Sequence, residues 1–83
     1  MKARVFVTLK PSVFDPQGRA IVEALHTLGY QQAADVRQGK YFLLDLNVGS
    51  KEDAMKMATE IADRVLANPV IEKFTIDIDG AGE

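Results

Sequence analysis

Residues 10–29 read KPSVFDPQGRAIVEALHTLG, and both ends of a helix are written in them. Asp15 offers a carboxylate to the unpaired backbone N–H groups of a first turn, and Pro16, with φ fixed and no N–H to lose, suits the first helical position. Ile21, Ala24, Leu25 and Leu28 recur at spacings of three and four, which predicts one inward apolar face. Gly29 then supplies the left-handed conformation that closes the last turn. Gly18 stands out, because a glycine inside a helix costs roughly 1 kcal/mol relative to alanine. Its presence implies either a neighbouring backbone packed close or room for an acidic group or ligand at the helix start. Asp15 already occupies that end, which argues against an anion.

Outward from this helix the chain alternates. Ala3, Val5, Val7 and Leu9 point one way in residues 2–10, and Lys2, Arg4, Phe6, Thr8 and Lys10 the other, the pattern of a half-buried strand. After Gly29, residues 34–38 form a weaker strand candidate, Gln38-Gly39 reads as a hairpin turn, and Tyr41–Val48 as a strand apolar on both faces. Phe42, Leu44, Leu46 and Val48 share the core face. Ser50 and Asp53 resemble a capping box for a second helix. Ala54, Met57 or Ala58, Ile61, Ala62, Val65 and Leu66 give it a wide apolar face, and Asn68-Pro69 stops it. A last strand over 71–78 carries Phe74, Ile76 and Ile78 on one side.

The order predicts an α+β fold, the βαββαβ ferredoxin-like (split βαβ) arrangement, with two helices on one face of an antiparallel sheet. Residues 1–79 are read as one domain and 80–83 as a flexible tail. Phe6, Tyr41 and Leu43 fall on the sheet face without helices, where full cover of each is worth about 1.5–3 kcal/mol. A second copy of the chain is the expected cover.

A chain of 83 residues buries only about 60% of its unfolded surface, so self-association is a natural supplement. The net charge of −2 gives no general attraction for phosphate backbones, which argues against nucleic acid. Cysteine is absent, excluding disulfides and thiolate chemistry, and no apolar run approaches the roughly 20 residues of a membrane span. A cytoplasmic setting is expected.

Reactive constellations are missing from the pattern. His26 is the only histidine and reads as a solvated position near a helix end. Asp77 and Asp79 share a strand face, a weak signal for a hard cation. No Gly-rich phosphate loop precedes a helix, and no serine or threonine has a base beside it. No catalytic residue and no metal site are therefore assigned. Basic residues do gather near the turns, with Lys10, Arg19, Arg37 and Lys40 suggesting a docking rim for a partner's carboxylates.

Four segments together resemble a known family: Val7-Thr8-Leu9-Lys10-Pro11-Ser12-Val13-Phe14-Asp15-Pro16-Gln17-Gly18, Ala24–Gly29, Val36–Lys40 and Asn68–Glu72. The chain resembles PurS, the small subunit of phosphoribosylformylglycinamidine synthase, also called formylglycinamide ribonucleotide amidotransferase. The resemblance runs from about Arg4 to Ile78; Phe14 stands where leucine is common. It implies an adaptor in purine biosynthesis that joins a glutaminase subunit to a larger synthetase subunit. The complex would use ATP and Mg, with no cofactor on this chain, and the chain would form a homodimer or homotetramer. Lys10, Asp15, Pro16, Gln17, Gly18, Gly29, Arg37, Gly39 and Lys40 carry over as structural or partner-facing positions, none catalytic. The competing expectation is a ferredoxin-like regulatory domain that binds a small molecule at a dimer interface.

Overall fold

The alternation in the first residues becomes the middle strand of a three-stranded antiparallel sheet. The computed structural model describes residues 1–79, and the tail expected over 80–83 lies outside them. In chain order the elements are β1 (Lys2–Leu9), α1 (Pro16–Thr27), β2 (Gly39–Asp45), α2 (Lys51–Ile61) and β3 (Glu72–Ile78). The strand order is β2-β1-β3, with both pairs antiparallel. This is the split βαβ order of the ferredoxin-like class.

Burial follows the predicted alternation. Ala3, Val5 and Val7 of β1 are fully buried under the helix layer. That layer is α2, which lies over β1 and β3. Ala54, Ala58 and Ala62, spaced by four, form its inner line and are also fully buried. Side chains that stop at Cβ let the helix backbone rest close on the sheet. Leu46 and Ile78 complete one end of the core, and Ala67 the other. Of the alternatives Met57 and Ala58, Ala58 is the buried one and Met57 is exposed; Val65, expected on the apolar face, is exposed as well. Ser50 caps the helix as its sequence indicated, its hydroxyl accepting from the Asp53 N–H at 3.1 Å. At the other end the helix widens into a π-turn over Ala62–Leu66, closed by the Ala67 N–H on the Ala62 carbonyl at 2.9 Å.

On the opposite face of the sheet the register sets Phe6 directly across from Tyr41, and their rings stack with centroids 5.2 Å apart. Leu43 is across from Arg4. All three apolar side chains are about half exposed. Arg4 Nη1 pairs with Asp77 at 3.3 Å and with Asp79, so both carboxylates considered for a cation are engaged by a guanidinium. Lys2 and Asp45 add a pair at 3.4 Å.

Three further expectations fail around α1. Residues 34–38 are not a strand, and Gln38-Gly39 is not a hairpin turn, because Gly39 opens β2 from an extended connection. The backbone and side chains of that connection are committed to α1 and the 10–13 turn, as described below, rather than to a ladder. The stripe predicted to face inward is outward: Ile21 is 40% and Leu28 73% exposed, Ala24 is exposed, and Leu25 is half-buried. The buried residues of α1 are instead Gly18 and Val22. Packing of α1 on the sheet is marginal compared with that of α2.

Candidate functional site

Asp15 is the centre of the site, and its two oxygens do different work. Oδ1 accepts from the Gly18 N–H at 2.9 Å, which caps α1. Oδ2 accepts from the Gln38 N–H at 2.9 Å, which ties the start of α1 to the connection entering β2. The side chain is buried, and every polar atom of it that is shielded from solvent has a partner. These N–H donors, Gln38 first and Gly18 second, hold the Asp15 carboxyl below its ordinary value, with Arg37 adding to the effect against the opposing cost of burial.

Gly18 is explained by the same contact. A Cβ there would meet the Val36 carbonyl oxygen at 2.1 Å and Asp15 Oδ2 at 2.9 Å. The close-packed backbone, one of the two alternatives offered by the sequence, is the one found. Pro16 and Gln17 fill the first turn as anticipated, and Gly29 adopts φ +101° just past the helix end. Gly39 is likewise crowded, since a Cβ would meet the Val7 carbonyl oxygen at 2.5 Å.

The basic residues of the expected rim are partly spent inside the chain. Arg37 donates from Nη1 to the Val13 carbonyl at 3.0 Å, and from Nη2 to those of Lys10 at 3.1 Å and Pro11 at 2.9 Å. One guanidinium thus folds the Lys10–Val13 turn, as a planar fork of donors suits. Lys10 also donates its own N–H to the Ile71 carbonyl at 2.8 Å, fixing that turn to the start of β3. Arg19 pairs with Glu23 at 3.5 Å one helical turn on, and Lys40 with Glu72 at 3.5 Å across the sheet.

Sequence reasoning missed three participants. Glu72 joins Lys40 to the turn before β3, accepting from the Asn68 N–H at 2.7 Å. Gln38 contributes a backbone N–H that no side-chain pattern announces. His26 is not a solvated position: it is half-buried, and its Nε2–H donates to the Ala33 carbonyl at 2.8 Å. Asp15, Gln17, Gln38, Gly39, Lys40 and Glu72, with Val7–Leu9, line one open cavity of about 190 Å³ between the start of α1 and the end of the sheet. Chemically the arrangement is a latch of satisfied hydrogen bonds. Among the described residues no group of three or more histidine or carboxylate side chains is placed to hold a metal ion.

Comparison with known proteins bears on what this latch belongs to. Residues 2–80 match the family described as PurS: Phosphoribosylformylglycinamidine (FGAM) synthase. The chain is 41% identical over 78 residues to the synthase subunit PurS of Bacillus subtilis, an alignment covering 94% of this chain and 92% of that one. Its fold is similar to the crystal structure of Methanocaldococcus jannaschii PurS, with TM-score 0.85 and 32% identity over 94% of each chain. It is similar also to a chain of PurLQS from Thermotoga maritima, with TM-score 0.84 and 26% identity over 92% of this chain and 93% of that one. Matched from its first strand to its last, and carrying the Asp15-Pro16-Gln17-Gly18 turn in the strand-to-helix setting that the structure shows, this chain belongs to the PurS family of FGAM synthase subunits.

Proposed function

We propose that this chain is the positioning subunit of an FGAM synthase, joining a glutaminase subunit and a larger ATP-using synthetase subunit so that ammonia released at one site is used at the other. The observation that carries this reading is the state of its polar groups. Asp15, Arg37 and His26, the side chains best suited to chemistry, are each committed to backbone atoms of this same chain. A protein built this way contributes fixed geometry, and holding two reacting centres in register is itself a large rate effect. The relative from Thermotoga maritima is a chain of PurLQS, which accords with such an assembly.

On this reading ATP and Mg act on the synthetase subunit, this chain holds no cofactor, and the setting is the cytoplasm. The rim of Lys10, Arg19 and Lys40 around the Asp15 turn faces the larger subunits, with Arg37 shaping the turn through its carbonyls. A second copy covers Phe6, Tyr41 and Leu43, whose combined exposure is unusual for a sheet face with nothing to meet.

Reconstitution tests the proposal. Omitting this chain should abolish FGAM synthesis driven by glutamine while leaving synthesis driven by ammonium salts, because only the first needs transfer between sites. A full glutamine-driven rate without it, or turnover by the isolated chain, overturns the reading.

A further inference from the structure

A second open cavity, of about 420 Å³, is lined by Thr8, Leu9, Pro11, Asp35, Arg37 and Lys73. Segments distant in sequence build it: the end of β1, the turn that follows, the 30–38 connection and the start of β3. Thr8 is directly across from Lys73 on one side and from Gly39 on the other, so Thr8 and Lys73 share a face of the sheet. Gly39 sets no side chain beside them, and a Cβ there would meet Thr8 Cγ2 at 2.7 Å. Arg37 is fixed by the carbonyls of Val13, Lys10 and Pro11, and its guanidinium still carries N–H groups beyond those bonds. Lys73, Asp35 and the Thr8 hydroxyl have no hydrogen-bond or ion-pair partner among the described residues. The walls therefore hold two cations and one carboxylate that do not pair with one another.

We propose that this cavity binds the head group of a free α-amino acid, with the carboxylate taken by Lys73, Arg37 and the Thr8 hydroxyl and the ammonium taken by Asp35. A zwitterion answers every charge on the walls at once. An inorganic phosphate or a simple carboxylate would satisfy the two cations and bring a second anion to Asp35, whereas a simple amine would meet Lys73 and Arg37 with its own charge. Bonds from lysine and arginine to a carboxylate are charge-assisted and so among the stronger hydrogen bonds, and Leu9 and Pro11 offer aliphatic surface to the ligand's stem. Asp35 and Arg37 belong to the connection after α1 while Thr8 and Lys73 belong to the sheet, so a bound amino acid would tie one to the other. The inference stands apart from the assembly proposed above, although glutamine and glutamate, which that assembly would consume and release, belong to this ligand class.

Nuclear magnetic resonance of the isotope-labelled full-length chain tests the proposal, with L-glutamine, L-glutamate and L-alanine as probes. Each should move the Thr8, Arg37 and Lys73 amides in a saturable way. L-Alaninamide and N-acetyl-L-alanine, which each lack one charge of the head group, should bind about tenfold more weakly or worse. Inorganic phosphate that moves the same amides as strongly as the amino acids would reveal a plain basic patch and overturn the proposal, as would amides that no amino acid moves. Asp35→Asn and Lys73→Met, each checked for its fold by circular dichroism, should weaken amino-acid binding about tenfold, and Lys73→Arg should keep it. Unchanged affinity in Asp35→Asn or in Lys73→Met overturns the site. None of these readouts needs the larger subunits, so a failure here leaves the positioning role standing.

Discussion

The two halves of this molecule are held by different forces. The sheet and α2 are joined by small aliphatic contacts, with Ala54, Ala58 and Ala62 against Ala3, Val5 and Val7, all of them at or near zero exposure. The arm made of α1, the 10–15 turn and the 30–38 connection is ordered by polar groups aimed at backbone: Asp15 at Gly18 and Gln38, Arg37 at three carbonyls, His26 at Ala33. Hydrogen bonds fix geometry without consuming apolar surface, so the arm is shaped while its stripe stays exposed.

The sharpest way to break this contrast is Gly18→Val, which drives a side chain into the Val36 carbonyl. A loss on the order of 3 kcal/mol in the arm is expected. Amide hydrogen exchange should show α1 losing protection while β1 keeps it; loss in β1 as well would mean that the halves are one cooperative unit. Ala58→Leu attacks the other half, where overpacking of a site with no exposed surface should cost about 2 kcal/mol and lower the melting temperature of the chain.

Acid separates the two halves without mutation. The folded Asp15 carboxyl titrates below its ordinary value of 3.8, so the latch contributes in full above about pH 4 and is lost as pH falls through the lower, folded value. Hydrogen exchange of α1 between pH 5 and pH 2 should therefore rise beyond its intrinsic rate more steeply than that of β1, and Asp15→Asn should flatten the difference. Arg37→Lys gives the smallest effect, about 1 kcal/mol, because one ammonium cannot replace a fork of donors that reaches three carbonyls. Nuclear magnetic resonance of the Lys10–Val13 amides is the suitable measurement.

Where the sequence was legible, neighbours in the chain decided the outcome. The caps at Asp15 and Ser50, the end at Gly29 and the alternation of β1 rest on local rules, and each is found in place. Ala54 and Ala62 were placed on the inner face of α2 by their spacing, with Ala58 left open against Met57. What escaped depends on partners distant in sequence: Gln38 is 23 residues from Asp15, and Arg37 is 24 to 27 residues from the carbonyls it binds. The 34–38 segment has alternation enough for a weak strand, yet its Val36 carbonyl and Gln38 N–H are directed at the start of α1. The stripe of α1 was correctly located and wrongly turned, since periodicity reports which residues share a face and not which molecule covers it. His26 was misjudged for a related reason: its acceptor, the Ala33 carbonyl, lies beyond the end of the helix.

The stacked pair on the open sheet face has an optical consequence. The chain contains no tryptophan and two tyrosines, so its near-ultraviolet emission originates from Tyr30 in the arm and Tyr41 beside Phe6. Tyr30→Phe leaves a lamp on one surface and Tyr41→Phe a lamp on the other. Titrating each single-tyrosine chain with a companion subunit would report, by quenching or energy transfer, which side of the protein that companion approaches.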